Sequence, residues 1–182
     1  MRDTLTTFVI VSFAYIISYS LTSGFVYPIQ TALLPEVSEK TGLLFLPHGV
    51  RIIAVYYLGW KAILFLLPST YLMWFLSVYG NGLDLHMYQP VVSVIACWIG
   101  VTLTKAIFEE KSDMLDISAW KFLIVAGAAG SLLNGIGLSL LQHDSQVGLS
   151  VLGYVIGDVA GLFASLLILM YVFKFLRHYR DI

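Results

Sequence analysis

The chain has 182 residues, of which 59% are hydrophobic and only 12% charged, with a mean hydropathy of +0.87. A soluble domain is about one quarter charged because its surface faces water, so most of this surface is expected to face lipid. The net charge of −1 supplies no basic field for nucleic acid, and the single cysteine, Cys97, excludes an internal disulfide and any two-cysteine metal or redox motif.

Taken in chain order, six segments are apolar enough to be read as crossings of a hydrocarbon core about 30 Å thick, which takes about 20 helical residues. The first covers about residues 6–27 and ends at Pro28. It is too long for a signal-peptide core and no small-residue cleavage pattern follows it, so it is expected to be retained. Residues 29–41 carry Pro35, Glu36, Glu39 and Lys40 and suggest a short interfacial helix. The second span, about residues 42–59, is shorter and contains Pro47, His48 and Arg51. The third runs over about residues 60–79 with Pro68 inside it, and the fourth over about 90–108. The fifth covers about 119–141 and the sixth about 147–175. Backbone polar groups cannot remain unpaired in lipid, and no alternating strand pattern occurs. The expected fold class is therefore all-α, one polytopic helix bundle over residues 1–182.

Lysine and arginine fix the expected orientation. With the N-terminus in the cytoplasm, Arg2, Lys61, Lys105, Lys111, Lys121, Lys174, Arg177 and Arg180 all fall on that side, and only Lys40 falls outside. Both chain ends are then cytoplasmic. Trp60 and Trp120 lie near the inner boundary, and Tyr27, Tyr79 and Tyr88 near the outer one, as interfacial aromatics do.

Four polar residues fall inside spans: His48, Arg51, Asn134 and Asp158. Ionisable groups at that depth are costly, so they face the bundle interior and find partners. At about 1.5 Å per residue, Arg51 and Asp158 lie roughly 14 and 16 Å from the outer ends of their spans, and Asn134 roughly 10 Å. Opposite charges at similar depth suggest an Arg51–Asp158 pair with His48 and Asn134 beside it. The arrangement fits either a polar cavity open to the outer side or a structural ion pair that fixes helix packing. Spans one, three and four then read as lipid-facing walls.

Small residues form a second pattern. Gly153, Gly157, Gly161 and Ser165 recur every four residues on one face of the sixth span, and Ala126, Gly130 and Asn134 do so on the fifth, with Gly127, Ser131 and Gly135 beside them. Such stripes let helix backbones approach closely where lipid removes the hydrophobic drive. Packing within the bundle is the favoured use over homo-oligomerisation. No phosphate-binding loop, zinc-protease helix, nucleophile elbow or dinucleotide fingerprint occurs, and the acidic group Glu109, Glu110, Asp113 and Asp116 reads as a solvated loop face. No enzyme activity or metal site is expected from these patterns, and they name no cofactor.

The run Leu43-Leu44-Phe45-Leu46-Pro47-His48-Gly49-Val50, followed by Gly59-Trp60, resembles the first class of bacterial membrane-associated sensor domain, the integral-membrane input module of many diguanylate cyclases and histidine kinases. Pro47 and Gly49 match that family's tryptophan–x–proline–x–glycine-like opening, with Phe45 in place of the tryptophan. Gly157, Asp158 and Gly161 match its glycine–aspartate–x–x–glycine-like sequence, and the entry to the fifth span with Trp120 is also similar. The chain departs from the family in its shorter length and in having no proline after Pro90. The resemblance implies a multi-pass protein of the bacterial inner membrane that senses a small signal or membrane partner. With no cyclase, kinase or coiled-coil segment in these residues, it is expected to act through a separate membrane or cytoplasmic protein. Two other readings are weighed beside it: a solute-transport component similar to the substrate-binding subunits of energy-coupling-factor transporters, and a structural subunit with Gly153–Ser165 as an intermolecular seam.

Overall fold

The computed structural model describes residues 2–34, 42–80, 82–83, 85–109, 119–142 and 147–180. It is all-helical, with no strand among those residues. The elements are α1 (Arg2–Leu21), a π-helical turn (Thr22–Val26), α2 (Tyr27–Leu33), α3 (Leu46–Leu58), α4 (Lys61–Phe75), a second π-helical turn (Leu76–Gly80), α5 (Gln89–Glu109), α6 (Ala119–Leu141) and α7 (Val147–Arg180). Among the described residues, five helices are long and apolar enough to cross a membrane: Asp3–Leu33, Lys61–Gly80, Gln89–Phe108, Ala119–Leu141 and Ser150–His178. Leu, Ile, Phe and Val side chains remain exposed along α1, α4 and α7, which is the surface of a membrane protein.

The first helix does not stop at Pro28. Its backbone widens into a π-turn, seen where the Tyr27 N–H donates to Thr22 O, five residues back, and it then continues to Leu33. Proline has no N–H to donate and crowds the preceding turn. Opening the turn just before Pro28 relieves that crowding and lets the helix run on. The expected interfacial helix over residues 29–41 is thus in its first part a continuation of this helix, and residues 35–41 lie outside the described residues.

The expected second span is corrected more substantially. Only Leu46–Leu58 is helical, 13 residues, or about 20 Å, which is too short to cross alone. Residues 42–45 precede it as non-helical chain, with Phe45 at φ −109° and ψ 85°. Pro47 sits in the first turn, where its missing N–H is no loss. Gly59, at φ +58°, ends the helix in a conformation few other residues adopt and turns the chain directly into α4.

Contacts between helices set their directions. Ser12 reaches Phe65 O and Tyr19 reaches Ser77, so α1 and α4 run parallel. Tyr15 meets Arg51 and Thr22 meets Leu46, so α3 runs opposite to α1. Cys97 meets His48 and Lys105 meets Tyr56 O, which sets α5 parallel to α3. Gly100 lies against Gly130 and Gly137 against Val92, which reverses α6, and Gly135 against Val151 with Ser131 on Asp158 reverses α7 again. Helices α1, α4 and α6 therefore point one way and α3, α5 and α7 the other, and the chain begins and ends at the same face of the bundle. The described part of the return between α1 and α4 is the non-helical residues 42–45 followed by the short helix α3.

Non-helical backbone inside such a bundle must find partners from its surroundings. Leu43 N–H donates to Gln30 Oε1 (2.7 Å), Phe45 N–H to Gly157 O (2.9 Å) and Leu46 N–H to Thr22 Oγ1 (3.3 Å). Ser165 Oγ–H donates to Leu46 O (3.2 Å). The small-residue stripe of α7 is what admits this segment. A side chain at Gly157 would collide with Gly42 O, one at Gly161 with Phe45 O, and one at Gly49 with Ser165. The stripe is occupied by the chain's own residues 42–49, with Gly153 part-buried one turn away. On α6, Gly130 faces Cys97 and Ala96 of α5 while Gly127 and Gly135 face α7, so the helix packs closely on two sides.

Replacing Gly161 with valine should therefore lower thermal stability in detergent by about 1–3 kcal/mol or more, the usual cost of overpacking. Gly24→Ala, at a position with nothing within 4 Å, is the control and should melt as the parent does.

Candidate functional site

The start of α3 lies among α1, α5, α6 and α7, and the polar residues collect there. His48 is in its first turn, completely buried. Its Nε2 lies 3.1 Å from Gly127 O of α6, and its Nδ1 lies 3.3 Å from Asp158 Oδ2 of α7 and 3.7 Å from Cys97 Sγ of α5. Ser131 Oγ–H of α6 donates to the same carboxylate oxygen at 2.7 Å. A side chain at Gly127 would collide with Leu162 of α7, so the glycine lets α6 and α7 close on each other beside the imidazole. Asp158 is thus held from two helices, through a hydroxyl and a ring nitrogen.

Arg51, one turn along α3 from His48, faces α1. Its Nη2–H donates to Tyr15 Oη at 2.7 Å, and its guanidinium lies 5.3 Å from the Tyr15 ring centroid and 5.5 Å from that of Phe45. The partner expected for Asp158 is therefore corrected. Among the described residues Asp158 meets His48, not Arg51, and Arg51 is held between two aromatic rings. The side chains of i and i+3 residues on a helix point to adjacent but distinct directions. Here one points to α6 and α7 and the other to α1. A guanidinium is more weakly hydrated than an ammonium and stacks on ring faces, so Arg51 can be buried on aromatics where a lysine could not.

Asn134 is buried one turn from Ser131 on α6, and its Oδ1 has no hydrogen-bond partner; Arg51 Nε and Ser139 Oγ are likewise buried and unpartnered. Of the four residues singled out from sequence, His48 and Asp158 are brought into contact, while Arg51 turns to α1 and Asn134 lies one turn along α6 from Ser131. They do not line the open cavity expected of them: His48, Arg51, Asn134 and Asp158 are each at most 5% exposed. Among the described residues no group of three metal-ligating side chains is placed to hold a metal ion.

Several contributors were not singled out by sequence. Tyr15, Thr22 and Gln30 show that the first helix is more than a lipid-facing wall, and Cys97 and Gly100 show the same for α5. Their signal was present but faint: hydroxyls and amides in apolar helices are common and usually bond to their own backbone, as Ser18 and Ser23 do here. Residues 110–118 and 143–146, which hold Glu110, Asp113 and Asp116, lie outside the described residues.

No family model, curated protein or solved structure matches this chain.

Removing the Tyr15 hydroxyl leaves a buried guanidinium nitrogen without its acceptor. Tyr15→Phe should cost about 1–3 kcal/mol of stability. The double variant Tyr15→Phe with Arg51→Met should be no less stable than Tyr15→Phe alone, because it leaves no buried charge unpaired. Chemical denaturation of the purified variants in one detergent measures both.

Proposed function

We propose that this protein is a sensor module of a bacterial cytoplasmic membrane, with both ends on the cytoplasmic side, that recognises a small signal at the His48–Asp158 site and relays it through a partner protein. The observation that carries this reading is the bridge itself: one buried contact joins α3, a helix of 13 residues that is too short to cross alone, to α7, a helix of 34 residues. A change in that contact alters the packing of two helices that both run towards the face bearing the chain ends. Differential binding to two packings is all that a switch requires.

Two further features support it. Arg51 Nε and Asn134 Oδ1 are a donor and an acceptor left free in the interior, where unpaired polar groups are few and usually have a purpose. At its far end α7 is exposed on every side from Met170 to His178, and it carries Lys174 and Arg177 there. A helix that leaves its bundle in this way is suited to meeting a partner at the membrane surface. The resemblance of the residue 43–50 and 157–161 motifs to the sensor-domain family supports the same reading, and the lysine and arginine distribution supports the orientation. Neither a sealed site nor a stripe filled by the chain's own backbone favours a transport subunit or an intermolecular seam.

Purification of the full chain from its native membrane, with mass spectrometry of what accompanies it, tests the proposal. A signalling enzyme such as a kinase or cyclase should co-purify, and its activity should respond differently when Asp158→Asn replaces the parent. Solute accumulation in vesicles containing the protein and an ATPase pair, with no signalling partner, would overturn it.

A further inference from the structure

We infer that His48 and Asp158 together form an exchangeable proton site, so that the small signal recognised here is the proton itself. This rests on the sensor reading above and names its ligand. The argument begins with Gly127 O, which as a carbonyl can only accept. His48 Nε2, 3.1 Å away, must therefore carry a hydrogen. In a neutral imidazole that leaves Nδ1 as a bare lone pair. It would then face Asp158 Oδ2 at 3.3 Å, acceptor against acceptor, in a site with no exposed surface on the ring. Burial without water makes such a contact expensive.

One added proton removes the conflict. It gives either an imidazolium beside a carboxylate or an imidazole beside a carboxylic acid, two microstates of one proton inventory. Ser131 Oγ–H donates to Oδ2 in either state, so it orients the carboxylate without deciding where the proton rests. The Cys97 thiol, 3.7 Å from Nδ1, is at most a weak S–H donor to the ring, and it leaves the 3.3 Å approach of Nδ1 to Oδ2 unrelieved.

The groups around the pair make the proton exchangeable. Arg51 on α3 is the one permanently positive neighbour, and its charge opposes a further positive charge. The other titratable groups near the pair are Tyr15 and Tyr19 on α1, Tyr27 on α2, Cys97 on α5 and Tyr154 on α7, all neutral in their ordinary state, and α6 offers only the uncharged Ser131 and Asn134. The proton is thus held by a direct contact and opposed by a charge one helical turn away. When it leaves, Nδ1 and Oδ2 repel, and the bridge between α3 and α7 opens. The N-terminal end of α3 is then tied to α7 by the Phe45–Gly157 and Ser165–Leu46 hydrogen bonds.

The test is nitrogen NMR of the full chain, labelled at histidine and reconstituted in lipid nanodiscs, with infrared spectra of the carboxyl region at the same pH values. The His48 signal is assigned by its loss in His48→Gln. Across about pH 5–8, where histidine ordinarily changes charge, Nε2 should stay protonated. One proton should leave, from Nδ1 or from the Asp158 carboxyl, in a single step that Asp158→Asn abolishes. A neutral imidazole and an ionised carboxylate at every pH in that range would overturn the inference. If neither variant folds, the parent protein decides the matter, because the count of protons released between the two ends of the titration must include one that belongs to neither His86, His143 nor His178. The outcomes also separate this claim from the sensor reading: a titrating pair with no responsive partner removes the sensor and leaves the proton site, whereas a responsive partner with no titration does the reverse.

Discussion

The structure depends on keeping a helix start inside the bundle. Beginning α3 at Leu46, after non-helical residues, leaves backbone groups in an apolar environment where each unpaired one costs several kcal/mol. The neighbours are arranged to meet that demand. Gln30 and Thr22 supply side-chain acceptors, Gly157 supplies a helix carbonyl uncovered by any side chain, and Ser165 supplies a donor. Glycines at 49, 157 and 161 provide the space. Many features that look separate in the sequence, the small-residue stripe, the hydroxyls of the first helix and the proline of the second span, serve this one passage of chain.

The polar cluster follows from the same passage. A full-length second helix would place His48 in mid-helix with its backbone satisfied. Starting the helix there puts His48 in a first turn, opposite Asp158 on α7 and Gly127 on α6, within reach of both. Arg51 follows one turn later and is carried round to α1. The helix start therefore separates two basic side chains that are close in sequence, one to meet a carboxylate and the other to meet aromatic rings.

Much of this was legible in advance. Apolar length located α4, α5, α6 and α7 closely, since nothing but lipid accounts for such runs. Polar residues within spans picked out the level at which the interior is polar. What depth could not supply was direction. Arg51 and Asp158 share a level, but a helix turns about 100° per residue, and three residues along α3 redirect a side chain to another neighbour. Pro28 misled for a different reason. Proline is a strong stop when the turn before it is α-helical, and a π-turn removes most of the clash; no residue of Thr22–Val26 announces that turn. The short α3 was hidden because hydropathy counts residues and not their backbone state, so extended and helical halves of one crossing look alike.

The aromatic cage of Arg51 bears on why the pair is His48–Asp158. Had Arg51 met Asp158 directly, the result would be a permanent ion pair, since a guanidinium does not release its proton in a protein. Such a pair fixes helices and responds to little. Holding Arg51 on Tyr15 and Phe45 leaves the carboxylate to a histidine, the side chain whose charge most readily changes near neutral pH. The arginine still contributes its field without occupying the contact. Two basic groups and one carboxylate are arranged so that the histidine, and not the arginine, touches the acid. That division of labour depends on the register of α3, because sliding the helix by one residue would rotate its side chains by about 100° and turn His48 away from Asp158.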